Sequence, residues 1–182
     1  MPFISRRRSL AIVLLLCASL GLWAVQKRPS TSAGKAEAAA TPQPIAVHEF
    51  HVEGVDVALM EVIRTAPEVV TVKWEYRNKT DEPQKLAGDS KGWSDPYRLC
   101  LASYLLGSDG VTKFPVFRDE KRVPVAAAHG RPNQVAITLE AGKTLKTWAK
   151  YAFPAGETKA TVVIPGADPF ESVKITEPPP DK

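Results

Sequence analysis

Histidine, cysteine and methionine are so scarce in this 182-residue chain that most catalytic and metal chemistry has little to work with. There are three histidines (His48, His51, His129), two cysteines (Cys17, Cys100) and two methionines (Met1, Met60). Copper handling by thioether and imidazole groups has no ligand set to draw on. His48 and His51 are three apart in an expected strand, which turns them to opposite faces and argues against zinc held with Glu49 or Glu53. Cys17 lies inside an apolar run, so Cys100 stands alone in the remainder and has no disulfide partner within the chain. Its neighbours Leu99 and Leu101 mark it as a buried thiol rather than a nucleophile.

Other signatures are missing as well. No Gly-x-Ser-x-Gly elbow occurs, and Ser94-Asp95 reads as a turn rather than part of a triad. The acids Asp81, Glu82, Asp89, Asp95, Asp109 and Asp119 fall at turn positions. They lack the spacing of a glycosidase pair or a calcium loop, and Asp89-Ser90-Lys91-Gly92 has no alternating oxygen ligands. No cofactor, no metal and no catalytic residue is expected, and the chain is read as a non-enzyme. Asn78-Lys79-Thr80 fits a glycosylation sequon, but in a bacterial setting it reads as a strand-end turn.

A charge excess is absent where it would matter. The formal net charge is +4, yet six of the 24 Lys/Arg and only one of the 20 Asp/Glu lie in the first 47 residues. That leaves 18 bases against 19 acids in the remainder. A near-neutral body has no pull on polyanions, so nucleic acid is excluded as a partner.

What the chain does possess is an export layout. Arg6, Arg7 and Arg8 precede an apolar run from Leu10 to Val25, the pattern of a signal peptide or a membrane anchor. Leu22 at the −3 position and bulky Trp23 make a poor peptidase site for a cut after Ala24, and Leu16 is wrong for lipidation at Cys17. Two fates stay open for residues 1–25: an uncleaved transmembrane anchor in the inner membrane through residues 9–25, or a cleaved signal. Either fate implies a periplasmic protein, tethered or released. Residues 26–44 form a flexible Pro/Ala/Ser linker reaching on the order of 50 Å at about 3.3 Å per residue. Residues 177–182, Glu177-Pro-Pro-Pro-Asp-Lys, are a Pro-rich tail.

Residues 45–176 read as one β domain. Val70, Val72, Trp74 and Tyr76 alternate with Thr71, Lys73, Glu75 and Arg77, which is a half-buried strand over Glu68–Asn78. Val55–Thr65 is a strand packed on both faces or carrying a bulge. Leu99–Leu106 and Val111–Phe117 flank Gly107-Ser108-Asp109-Gly110, a hairpin whose second arm Pro115 places at an edge. Val135–Glu140, Thr144–Phe153, Ala160–Ile164 and Phe170–Ile175 complete the set. The fold expected is all-β, an antiparallel immunoglobulin-like β-sandwich of about 7–8 strands behind an N-terminal apolar helix. A small closed barrel is the alternative.

A resemblance joins these features. The strand ending in Asn78-Lys79-Thr80-Asp81, the Asp109-Gly110 hairpin, Leu139-Glu140-Ala141-Gly142-Lys143-Thr144 and Phe153-Pro154 follow one another in order. Thr147-Trp148-Ala149, Val162-Val163-Ile164-Pro165-Gly166 and Pro169-Phe170 follow within the same region. Together they resemble uncharacterised immunoglobulin-like domains of exported bacterial envelope proteins, including lipoproteins and domains accompanying OmpA-type modules. The resemblance covers most of Ile45–Ile175 and implies fold and compartment, with no catalytic residue to carry over.

Binding candidates come from the aromatics. Lys91-Gly92-Trp93-Ser94-Asp95-Pro96-Tyr97-Arg98 sets Trp93, Tyr97 and Arg98 in one Gly/Pro-punctuated loop, a hot-spot composition that is also compatible with Trp93 capping the core. Trp74 is read as core. Trp148 falls between Lys146 and Lys150, opposite in face to Leu145 and Tyr151, either covered by the second sheet's edge or open to a partner. The function expected is a non-catalytic periplasmic protein-binding or structural domain of the cell envelope. The alternative is a carbohydrate- or peptidoglycan-binding module.

Overall fold

The computed structural model describes residues 42–87, 95–129 and 136–178, all within a compact unit spanning Ala40–Lys182. Ten strands and no helix occur among the described residues. In chain order they are β1 (Ala46–Glu49), β2 (Val55–Ala66), β3 (Val69–Asn78), β4 (Gln84–Ala87), β5 (Tyr104–Leu106), β6 (Lys113–Pro115), β7 (Ile137–Leu139), β8 (Thr144–Ala152), β9 (Lys159–Val163) and β10 (Phe170–Lys174). They form a four-stranded sheet β1-β2-β3-β8, a second β10-β9-β5-β6, and a small pair β4-β7. Every pairing between these strands is antiparallel. No helix of the described residues is long and apolar enough to cross a membrane; the apolar run Leu10–Val25 lies outside them.

The first sheet is organised by the alternation of β3. Val70, Val72, Trp74 and Tyr76 are buried, while Lys73 is exposed and Glu75 and Arg77 are half-buried on the other face. β2 follows the same rule until Met60. There one extra residue is inserted: Leu59 pairs with Trp74 and Glu61 with Lys73, leaving Met60 without a partner across the ladder. Such a bulge shifts the phase of everything after it. Val57 and Leu59 face inward before it, and Val62 and Arg64 face inward after it. The expectation of two-sided packing or a bulge in β2 thus resolves as a bulge. Plain alternation from Val57 and Leu59 would turn Glu61 and Ile63 inward, whereas the bulge sets both on the outward phase.

The two large sheets share one core containing Trp74, Tyr76, Tyr151, Phe153 and Phe170. Phe50 meets Tyr76 edge-on at 5.1 Å, and Phe114 meets Phe153 edge-on at 4.9 Å, geometries that add to simple burial. Both flanks of the sheet pair are stitched by backbone bonds. On one side the chain leaving β6 crosses to β8, where Val116 bridges Tyr151 and Phe117 N–H donates to Lys150 O at 2.7 Å. On the other, Phe50 bridges Ala167, and Thr176 runs parallel to β2 opposite Ile63. The chain that changes sheets therefore covers edges that would otherwise be open.

Two further expectations change. The apolar run Leu99–Leu101 lies in a turn covering 96–102, and the strand begins only at Tyr104. Cys100 N–H and Leu101 N–H both donate to Tyr97 O, at 2.8 and 2.9 Å, and this turn chemistry overrides the apolar pattern. The short strand β4, with polar Gln84 and Lys85, had no sequence signal strong enough to mark it. The Asp109-Gly110 hairpin does form, joining β5 to β6, with Gly110 at φ 67° and β6 at the sheet edge. The expected linker up to Thr41, and the tail from Pro179, fall outside the described residues.

Candidate functional site

Trp148 stands on the outer face of the first sheet with 37% of its surface exposed, flanked along β8 by exposed Lys146 and half-buried Lys150. Strand alternation places it there, since Thr147 and Ala149 on either side point into the core. The antiparallel register then sets its neighbours. Lys73 of β3 is directly opposite Trp148, and Glu61 of β2 is directly opposite Lys73. Lys73 Nζ and Glu61 Oε2 form an ion pair at 2.5 Å.

The β2 bulge opens a groove beside this row. Because Met60 is the inserted residue, Met60 and Glu61 are both half-buried on the outer side, between buried Leu59 and Val62. The groove has a volume of about 480 Å³ and is bounded by Met60, Lys73, Lys146, Trp148 and Pro42, among others. That size is within the range of small-ligand sites. Glu75 is engaged by Arg77, whose Nη2 donates to Glu75 Oε2 at 2.8 Å and to Met60 Sδ at 3.4 Å. The acids of this face, Glu61 and Glu75, are paired, Lys146 and Lys150 stand outside these pairs, and Met60, Trp148 and Pro42 supply apolar groups to the groove.

The other sequence candidates sit elsewhere. Trp93 lies outside the described residues. Tyr97 is half-buried and packs against the core from the 96–102 turn, with its N–H bonded to Asp95 Oδ1 at 2.8 Å. Arg98 is also half-buried, with its Nε and Nη1 atoms turned inward. Trp148 points away from the core against which Tyr97 packs, so these two residues do not share one surface. Met60 and Pro42 were missed in the sequence, since nothing in the local pattern says where the bulge falls or that Met60 and Pro42 will meet at one groove.

A buried polar cluster lies beneath β8. Cys100 is fully buried and its thiol donates to Ala127 O at 3.4 Å. His129 Nε2 is hydrogen-bonded to the Thr147 hydroxyl, and His129 N–H donates to Pro96 O at 2.6 Å. Ser103 Oγ and Tyr151 Oη are hydrogen-bonded at 2.7 Å. Burial pushes the Cys100 thiol up to about 12 and raises Tyr76 and Tyr151 above the ordinary phenol range. Burial also holds His129 below the ordinary imidazole range. A thiol so far from ionisation is no nucleophile. Relative to an unfolded thiol titrating near 9, native Cys100 carries roughly a thousandfold less thiolate at pH 8. The peptide containing Cys100 should therefore resist alkylation in the native protein and label rapidly in denaturant, as read by mass spectrometry. The same shift makes stability pH-dependent: the folded state holds protons that the unfolded chain releases, so stability falls as pH rises from about 9 to about 12.

The histidines at the other end are structural in their contacts. His48 stacks on Phe170 at 4.3 Å, and its Nδ1–H donates to Asp168 O at 2.9 Å. Among the described residues no group of three or more His, Cys, Asp or Glu side chains gathers to hold a metal ion. No protein-family model, curated protein or solved structure matches the chain.

Proposed function

We propose that this is a non-catalytic binding domain of the bacterial cell envelope, exported to the periplasm by its N-terminal segment, whose partner protein docks on the outer face of the first sheet around Trp148. The observation that carries this reading is an exposed tryptophan beside a partly apolar groove, on a face whose acids Glu61 and Glu75 are already paired with Lys73 and Arg77. A large aromatic held on a rigid strand offers contact area at small entropic cost, which is the profile of an interface anchor. The resemblance to immunoglobulin-like envelope domains supports the compartment. Two facing antiparallel sheets support an immunoglobulin-like sandwich as the finer description of the fold. The hairpin joining β2 and β3 in one sheet is a departure from the arrangement that splits the second and third strands between sheets.

The test is a photo-crosslinking residue placed at position 148 of the full chain in living cells, with adducts identified by mass spectrometry. A discrete protein adduct is expected. Adducts to glycan alone would transfer the function to peptidoglycan binding, and absence of any adduct would remove Trp148 from the interface.

A further inference from the structure

The groove beside Trp148 has chemical features that narrow its ligand. Its floor is the face of a hydrogen-bonded sheet: β2, β3 and β8 are paired through this region, so their backbone groups are spent on one another. A guest cannot add as a further strand here, as it would at an edge. Its own backbone must therefore be content in water. Polyproline II meets that requirement, having no internal hydrogen bonds, and proline lacks the N–H that would otherwise need a partner.

The side chains point the same way. Glu61 is paired with Lys73 and Glu75 with Arg77, so the polar groups that would read sugar hydroxyls are already engaged. Lys146, also in the groove lining, stands outside these pairs and adds an exposed positive charge there. What remains open is the Trp148 ring, with the methylene groups of Met60 lining the same groove while its sulfur accepts from Arg77 Nη2, an aromatic and aliphatic surface suited to a flat apolar ring. The chain supplies an example of such a guest. Pro42, from its own Thr41-Pro42-Gln43-Pro44, forms part of the groove wall before the chain enters β1.

We infer that the groove binds a proline-rich extended segment of the partner protein, with Pro42 occupying part of the site in cis. This rests on the partner-binding role proposed for Trp148. Because Pro42 is tethered, it competes at high effective concentration, and an incoming segment must displace it or extend it.

The experiment uses the full chain in detergent micelles and a fluorescein-labelled decaproline peptide, with binding read by anisotropy. Saturable binding is expected, absent with a Gly-Ser peptide of equal length. Trp148→Ala should weaken it by about tenfold or more, and Met60→Ala by a smaller factor. Pro42→Ser should tighten it severalfold by removing the internal competitor. Both Trp148→Ala and Met60→Ala alter outward-facing groups, and an unchanged melting temperature confirms that each variant is folded. Decaproline binding that ignores both substitutions, or no saturable binding at all, overturns the proposal. Displacement of decaproline by a purified peptidoglycan disaccharide, with tighter binding of that sugar, also overturns it. The two levels of the reading separate cleanly: a protein adduct at position 148 that excess decaproline fails to suppress sinks the proline assignment and leaves the partner surface standing.

Discussion

Replacing Arg64 by Met should cost about 3–4 kcal/mol and lower the melting temperature by roughly 10 °C, an effect far above that of an ordinary strand position. Arg64 is 5% exposed although it carries a charge. Its guanidinium donates to three backbone carbonyls: Pro67 O at 3.0 Å, Phe153 O at 3.3 Å and Glu157 O at 2.6 Å. These belong to the β2–β3 turn, the end of β8 and the connection to β9, so one side chain ties three separate stretches together. Methionine fills much of the volume but leaves those carbonyls without their donor. The fourth contact, to Glu177 Oε1 at 3.2 Å, reaches a largely exposed carboxylate and is screened by solvent. Glu177→Gln should accordingly change stability by less than about 1 kcal/mol. Urea unfolding of the two variants checks both numbers, and equal losses would contradict the assignment of the stabilisation to the carbonyls.

Asn78→Asp should be comparably damaging, by about 3 kcal/mol at neutral pH, although it changes only an amide to a carboxylate. Asn78 is 4% exposed. Its Nδ2 donates to Glu82 O at 2.8 Å, Leu139 O at 3.0 Å and Glu140 O at 3.1 Å. Its Oδ1 accepts from the Thr80 N–H at 2.9 Å and the Thr80 hydroxyl at 2.7 Å. A carboxylate keeps the second set and turns the first into oxygen facing oxygen. The introduced carboxyl would titrate above its unfolded value, since only its protonated form can donate to those carbonyls. Its least harmful range is therefore acidic, and the stability deficit grows as pH rises through the raised value. Denaturation curves at about pH 4 and pH 7 test this; a deficit independent of pH would mean that the amide donors are not what holds this corner. Asn78-Lys79-Thr80 is accordingly a strand-end polar knot.

The parts of this fold written in local alternation were legible in the sequence. β3 and β8 repeat with period two for nearly their whole length, so their faces, and the outward position of Trp148, follow from the residue order alone. Arg64 and Met60 show where such reasoning stops. A single inserted residue reverses the phase of β2, turning Arg64 inward and Glu61 outward; the two-sided apolar pattern of Val55–Thr65 allows a bulge but does not locate it. Leu139 and Glu140, bound by Asn78, and Phe153 and Glu157, bound by Arg64, lie far away in sequence, so the long-range half of these polar knots could not be read from spacing. Leu99–Leu101 shows the opposite failure, an apolar run that resembles a strand but is bent by bonds to Tyr97 O. The groove could not be read from the residue order, because it exists only once three strands are set in register.

The placement of Pro42 makes the chain's entry point a mechanical element. β1 is four residues long, pairs only with β2 among the strands, and begins next to the groove. A pull on the chain upstream of Pro42 loads Ile45 and its bond to Leu59 O before it reaches the firmer grip at Phe50 and the His48–Phe170 stack. Slack and tension would then set different shapes of the groove wall, while the core behind Trp74 stays intact. A load entering at Pro42 would thus reach the Trp148 face through one short strand, which acts as a fuse.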